Sequence, residues 1–251
     1  MRKVELTIEF TGITRKFAAD CLARYFGTEV KVGLGSGYLV KDKLGRDWTV
    51  TYAKSVRADG YLKEDEADDY KNCINTPELY ISADIDDSNL IHDLLVILRS
   101  CGAMLNELCS MHVLVGCPSD QRKAGVYLSE YCKCQDKQIE MFKTSAAYTA
   151  RYAKPYQYQT DAYEIDDYSD IVSYVESTYA PVPNFDEEFS SKYALNFLSA
   201  AVFGKLEFKA FNSSFDEEYV KNAVHWVDSF MSHCDEVYTN SWLNEYLAMR
   251  A

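Results

Sequence analysis

Glu9, Glu78, His112 and the pair Glu207 and Lys209 sit on four separate stretches whose alternating apolar and polar residues read as β-strands. Carboxylates delivered from several strands onto one face of an antiparallel sheet can hold a divalent metal and nucleotide phosphates without a glycine-rich loop. Any antiparallel sheet with one solvated face shows such acids too, so the residues alone leave both readings open. The stretch VELTIEFTGITR, residues 4–15, sharpens the question. Val4, Leu6, Ile8 and Phe10 alternate with Glu5, Thr7, Glu9 and Thr11, and a metal-holding face would want an acid at Thr7. Neighbouring acids on one strand face stand about 6.5–7 Å apart, whereas Glu5 and Glu9 are about 13 Å apart, so Glu5 does not replace the missing partner.

The elements that would position these groups follow from spacing. Thr14 caps a predicted helix to Phe26 with Phe17, Ala18, Cys21, Leu22 and Tyr25 at helical spacing and Gly27 as its stop. Strands near 28–33, 37–42 and 47–52 form a meander with turns at GLGSG and KLGR; no Lys-Ser/Thr follows those glycines, so they read as a hairpin and not a phosphate loop. Residues 54–76 read as an exposed acidic loop, followed by a strand from Glu78 to Ser82. The Asp86-Asp87-Ser88 cluster opens a helix that buries Leu90, Ile91, Leu94, Leu95, Leu98 and Cys101 and ends at Gly102.

In CSMHVLVGC, Met111, Val113 and Val115 share a face with Cys109, and His112 lies on the other with Ser110 and Leu114. Residues 119–190 form a helical excursion, interrupted at Pro155 and rich in tyrosine (148, 152, 156, 158, 163, 168, 174, 179), expected to cover the sheet's concave face. LEFKAFN then gives a strand with Glu207, Lys209 and Phe211 on one face. Ser214-x-x-Glu217 resembles a capping box before a helix carrying Val220, Ala223, Val224, Val227, Phe230, Met231 and Cys234, and a short helix near 241–250 closes the chain. The expectation is one α+β domain over 1–251, a curved antiparallel sheet with backing helices.

Bulk properties exclude several function classes. A net charge of −13 opposes phosphate backbones and anionic lipid, and no clustered basic patch offsets it, so nucleic acid and membrane partners are not expected. The longest aliphatic run, Leu94 to Leu98, is far short of the roughly 18 residues of a membrane span. The N-terminus reads as a charged strand rather than a secretory signal, and a cytoplasmic location is expected. The eight cysteines are scattered without a CxxC pair and read as buried thiols; Cys132-x-Cys134 lacks a second ligand pair for a metal.

The ordered set IEFTGITR (8–15), a PEL strand start (77–79), LRSCGA (98–103), CSMHVLVG (109–116) and LEFKAFNSS (206–214) resembles the amidoligase family, related to glutamine synthetase and glutamate–cysteine ligase. The resemblance implies a glutamine synthetase-like fold in which a curved antiparallel sheet floors the site. ATP with Mg²⁺ would phosphorylate a carboxylate, and an amine would displace the phosphate to leave an amide.

By the same resemblance Glu9, Glu78 and Glu207 would bind Mg²⁺. His112 and Lys209 would steady the transferred phosphate or acyl phosphate, and Arg15 and Asn212 would assist nucleotide or substrate binding. The pattern is degraded: Thr7 stands where a first glutamate is expected, Ala53 where an aspartate is, Leu114 where a second histidine is, and Lys209 where an arginine is. Ile81, Ser82 and Ser213 also depart from it.

Lysine keeps a charge but loses the planar fork that grips phosphate, and Thr7 and Leu114 remove a carboxylate and a donor outright. Groups that act as a unit do not lose function additively, so the substitutions point to an impaired ligase acting on a small-molecule or peptide carboxylate and amine. Two alternatives stand beside it: a ligase for a different substrate that uses one Mg²⁺, and a catalytically silent paralogue that binds a ligand or an active amidoligase subunit.

Overall fold

Period-two alternation begins at Lys3 and produces the central strand of the molecule. In the computed structural model, which describes residues 2–33, 35, 37–58, 67–80, 87–156, 167–179 and 192–248, β1 spans Lys3–Phe10 and buries Val4, Leu6, Ile8 and Phe10 on one face. Antiparallel partners flank it on both sides: β2 (Val30–Val32), β3 (Tyr38–Lys41), β4 (Asp47–Tyr52) and β5 (Asn72–Asn75) on one, β7 (Ser110–Gly116), β9 (Lys205–Asn212) and β8 (Leu195–Asn196) on the other. The short β6 (Leu79–Tyr80) pairs with β1 at Lys3 and Val4. The sheet order among the described residues is therefore β2-β3-β4-β5-β1-β7-β9-β8, with β6 beside the start of β1.

Helices back the apolar face. Helix α1 (Arg15–Phe26) has Thr14 as its cap, the hydroxyl accepting from Phe17 N, and ends at Gly27 with φ 70°, a conformation that favours glycine. Phe17 and Tyr25, expected on its buried side, are exposed; Ala18, Ala19, Cys21, Leu22 and Phe26 form the buried stripe instead. Helix α2 (Ser88–Ser100) follows Asp87, whose carboxylate holds Arg46 at 2.9 Å and accepts from Tyr80 N, so it ties two loops together and makes no side-chain cap.

The excursion is split between the two faces. Helix α3 (Ala124–Met141) packs beside the terminal helix α7 (Glu217–Ala248), and Tyr131 meets Phe208, Trp226 and Phe230 edge-on at 5.8–6.5 Å. It therefore belongs to the backing layer and is not a cover. Helix α4 (Ala146–Tyr152) reaches the polar face, while α5 (Tyr168–Tyr179) and α6 (Phe197–Phe203) pack together near the β8 edge, with Tyr168 stacked on Phe197 at 6.3 Å. Tyr148, Tyr156 and Tyr168 are buried; Tyr158, Tyr163, Pro181, Pro183, Ile81, Ser82 and Asp86 lie outside the described residues.

Four expectations change. Residues 72–75 are not part of an exposed loop but a fully paired strand between β4 and β1. The segment before β9 contains β8 and α6, which the sequence reading left unassigned. The expected short helix near 241–250 is the continuation of α7, and the cap of α7 is Asp216, whose carboxylate accepts from Glu218 N at 3.0 Å, while Ser214 Oγ accepts from Asp216 N.

The fourth change concerns β9. Met111 pairs with Phe211 and Val113 with Phe208, so Lys209 and Ala210 together oppose His112 in a β-bulge. The bulge turns Phe211 to the core, against Phe142 and Trp226, and places Asn212 opposite Ser110 on the polar side. Strict alternation had put Phe211 with Glu207 and Lys209.

Candidate active site

Strand geometry alone brings four of the sequence candidates together. Thr7 pairs with His112 across β1 and β7, and Leu114 pairs with Glu207 across β7 and β9, so Glu9, Ser110, His112, Glu207 and the bulged Lys209 share the polar face. His112 Nδ1 lies 2.7 Å from Glu207 Oε1, and its Nε2 lies 2.9 Å from Ser110 Oγ and 3.0 Å from Tyr148 OH. Glu207 Oε2 accepts from Asn196 Nδ2 at 2.5 Å. Glu9 is buried: Oε2 accepts from both Ser110 N and Ser110 Oγ at 2.8 Å, and Oε1 accepts from Ser55 Oγ.

These contacts set the electrostatics. Burial opposes ionisation of Glu207, but His112, Lys209 and the Asn196 amide outweigh it and hold the carboxyl down at about 2. Burial lowers the Lys209 ammonium below the ordinary lysine range, while Glu207 and Glu9 pull it back up. The phenol of Tyr148 is pushed well above its ordinary value, first by burial and then by Glu9. Glu9 and Glu207 thus face Lys209 and His112 within a largely buried network.

Hydroxyl, imidazole and carboxylate in series is the order that hydrolases use for nucleophilic attack. Ser110 is 0% exposed, and its hydroxyl also lies on the Glu9 carboxylate, so the series works here as a clamp between strands rather than as an open nucleophile.

The positions that depart from the family pattern are filled by other structure. Thr7 Oγ1 donates to Asn75 Oδ1 at 2.7 Å, and Asn75 Nδ2 reaches Thr49 Oγ1 at 3.1 Å and Thr51 Oγ1 at 3.3 Å. A neutral hydroxyl–amide network therefore occupies the place of a second acid. Ala53 is buried with Val56, Cys73 and Cys109 in a small apolar cluster, and burial pushes both thiols up to about 12.

Other candidates lie elsewhere. Glu78 is half exposed at the Lys3 end of β1 and ion-paired to Lys3 at 3.0 Å, away from Glu9, which pairs with Cys73. Arg15 is buried; it donates to Asp69 Oδ1 at 2.8 Å and to Asp68 O, and faces the Tyr52 ring at 5.8 Å. Asn212 spends its side chain on the turn between α3 and α4, accepting from Ser145 N at 2.9 Å and donating to Lys143 O at 2.8 Å. It holds the turn that carries Tyr148 to His112. Ser55, Ser110, Tyr148 and Asn196 are the members of the network that sequence reasoning did not single out as site residues; of these only Ser110 carried a signal, its place two residues before His112.

Residues 2–231 match the family model described as putative amidoligase enzyme. The chain belongs to the amidoligase family. A search of curated proteins found no match. The match covers most of the chain, including every strand of the sheet, so the ordered motifs and the antiparallel scaffold agree on a ligase-like ancestry. Among the described residues, no three His, Cys, Asp or Glu side chains converge as metal ligands, and no helix is long and apolar enough to cross a membrane.

The donor set explains how this amidoligase-family site departs from the expected Mg²⁺ chemistry. A hard cation needs several oxygens with free lone pairs directed at one point. Glu9 gives its oxygens to Ser55 and Ser110, Glu207 gives its oxygens to His112 and Asn196, and Lys209 adds positive charge beside both. In this arrangement the residues present do not fit Mg²⁺.

Proposed function

We propose that this amidoligase-family protein is a catalytically silent member that keeps the sheet of an ATP-dependent carboxylate–amine ligase and serves as a ligand-binding or partner-binding subunit. The observation that carries this reading is the engagement of Glu9: Ser55 and Ser110 donate to both of its carboxylate oxygens within a buried network. Thr7 and Ala53 support it, since one sits in a neutral hydrogen-bond network and the other in an apolar cluster. A paralogue that retained Mg²⁺·ATP chemistry would have to turn the remaining lone pairs of Glu9 and Glu207 to one point beside Lys209, rearranging a buried network of Ser55, Ser110, His112 and Asn196.

Turnover tests the proposal. ADP formation from Mg²⁺·ATP, assayed with mixed amines and carboxylates including short peptides, is expected to stay at the level of a protein-free control. Robust ADP production that depends on an added amine and acid would overturn it, and would restore the roles expected of Glu9, His112, Glu207 and Lys209.

A further inference from the structure

Beyond Glu9 along β1, the chain passes Thr11 and Gly12 into a cleft of about 520 Å³ lined by Arg57, Tyr70, Met104, Leu105, Glu107 and Leu108. Its volume lies in the range of ordinary small-molecule sites. The walls are continuous with the polar face: Arg57 follows Ser55, Leu108 precedes Ser110, and both serines hold Glu9.

Two features give the cleft chemical character. Arg57 and Glu107, of opposite charge, are exposed at the cleft, and neither is ion-paired among the described residues. Tyr70, Met104, Leu105 and Leu108 supply the apolar wall.

Two devices set the described walls of the cleft. Asn106 Nδ2 holds Arg57 O at 2.6 Å, and Asn106 Oδ1 accepts from Leu108 N at 3.0 Å, fixing one wall to the other. Gly12, at φ 87°, lets the chain pass Gly102 and Met104 where a Cβ would stand 2.8 Å from each.

We infer that this cleft binds a small zwitterion with an apolar body, of about dipeptide size. Its carboxylate meets Arg57, its ammonium meets Glu107, and its side chains lie on Leu105, Leu108 and Tyr70. A guanidinium suits a carboxylate because its planar fork offers two parallel donors. Binding here needs no nucleotide, so the inference stands apart from the question of ATP turnover.

The test is thermal unfolding of the whole protein, without ATP or Mg²⁺, against a panel of free dipeptides with apolar side chains. The same dipeptides, N-acetylated and C-amidated to remove both charges, serve as controls. Free dipeptides at about 10 mM are expected to raise the midpoint, as any ligand selective for the native state does. The capped forms should not. Arg57→Gln should weaken binding at least tenfold and Glu107→Gln several-fold, with unliganded midpoints near wild type. Both side chains are exposed, which makes the two variants safe for folding. No shift with any dipeptide, equal shifts with capped and free forms, or undiminished binding in Arg57→Gln would each overturn the inference.

Discussion

Replacing Glu207 by glutamine removes one charge from the centre of the network while keeping its shape, and the structure sets the size of the effect. A carboxyl ordinarily near 4.5 is held at about 2 because His112, Lys209 and Asn196 outweigh the burial that opposes its ionisation. Its pKa in the folded state is below that in the unfolded state, so its contribution to stability is fully present above the unfolded value and is lost as pH falls through the folded one. Lowering a carboxyl from about 4.5 to about 2 corresponds to roughly 3 kcal/mol at neutral pH, falling to about 1.5 kcal/mol at pH 3. Urea unfolding of wild type and Glu207→Gln at pH 7, 5 and 3 reads this directly. The variant should be less stable by about 3 kcal/mol at pH 7, and the gap should close by about half at pH 3. A gap below about 1 kcal/mol at pH 7, or one that does not change with pH, would refute the assignment of a buried ion-paired network.

Other consequences follow from the same geometry. Ala53→Asp, which restores the acid expected at that position, should cost about 3 kcal/mol, because the new carboxylate enters the apolar Val56, Cys73 and Cys109 cluster, both of whose thiols already feel the Glu9 charge; denaturation that finds it neutral would mean the position opens to solvent. Asn212→Ala should cost about 2 kcal/mol and speed amide exchange in α4 selectively, since Asn212 holds the turn that carries Tyr148; unchanged exchange across residues 146–152 would contradict that role. Cys73 and Cys109, buried and with thiols pushed up to about 12, should resist alkylation in the native state at pH 8 and react only on unfolding.

Much of this scaffold could be read from residue order. The alternation in β1, the Thr14 cap with its Gly27 stop, and the apolar stripes of α2 and α7 are local signals that survive folding unchanged. Strand β5 escaped because NCIN is four residues long, begins and ends with asparagine, and follows an acidic run; its pairing on both sides is a long-range fact. The bulge at Lys209 is equally non-local. It takes the register between β7 and β9 to show that Phe211 turns inward and Asn212 outward.

The site was legible in its acids and histidine but not in its hydrogen bonds. Tyr148 is one of several tyrosines in its segment, and nothing in the spacing marks it as the one that meets His112. Ser55 falls inside the 54–76 stretch that sequence pattern treats as solvent-facing, yet it holds Glu9. Glu78 and Arg15 show the reverse: their types suit a metal or anion site, but partners close to their own strands and loops engage them first.

Calorimetric titration of Mg²⁺·ATP into the purified protein tests the central claim most directly, because it requires no knowledge of an amine or acid. The engaged carboxylates, with no third ligand converging on them among the described residues, predict no binding heat at millimolar nucleotide and no change in the unfolding midpoint. Binding that vanishes without Mg²⁺ and weakens in Glu9→Gln would contradict the account, and would show that Glu9 exchanges Ser55 and Ser110 for a metal.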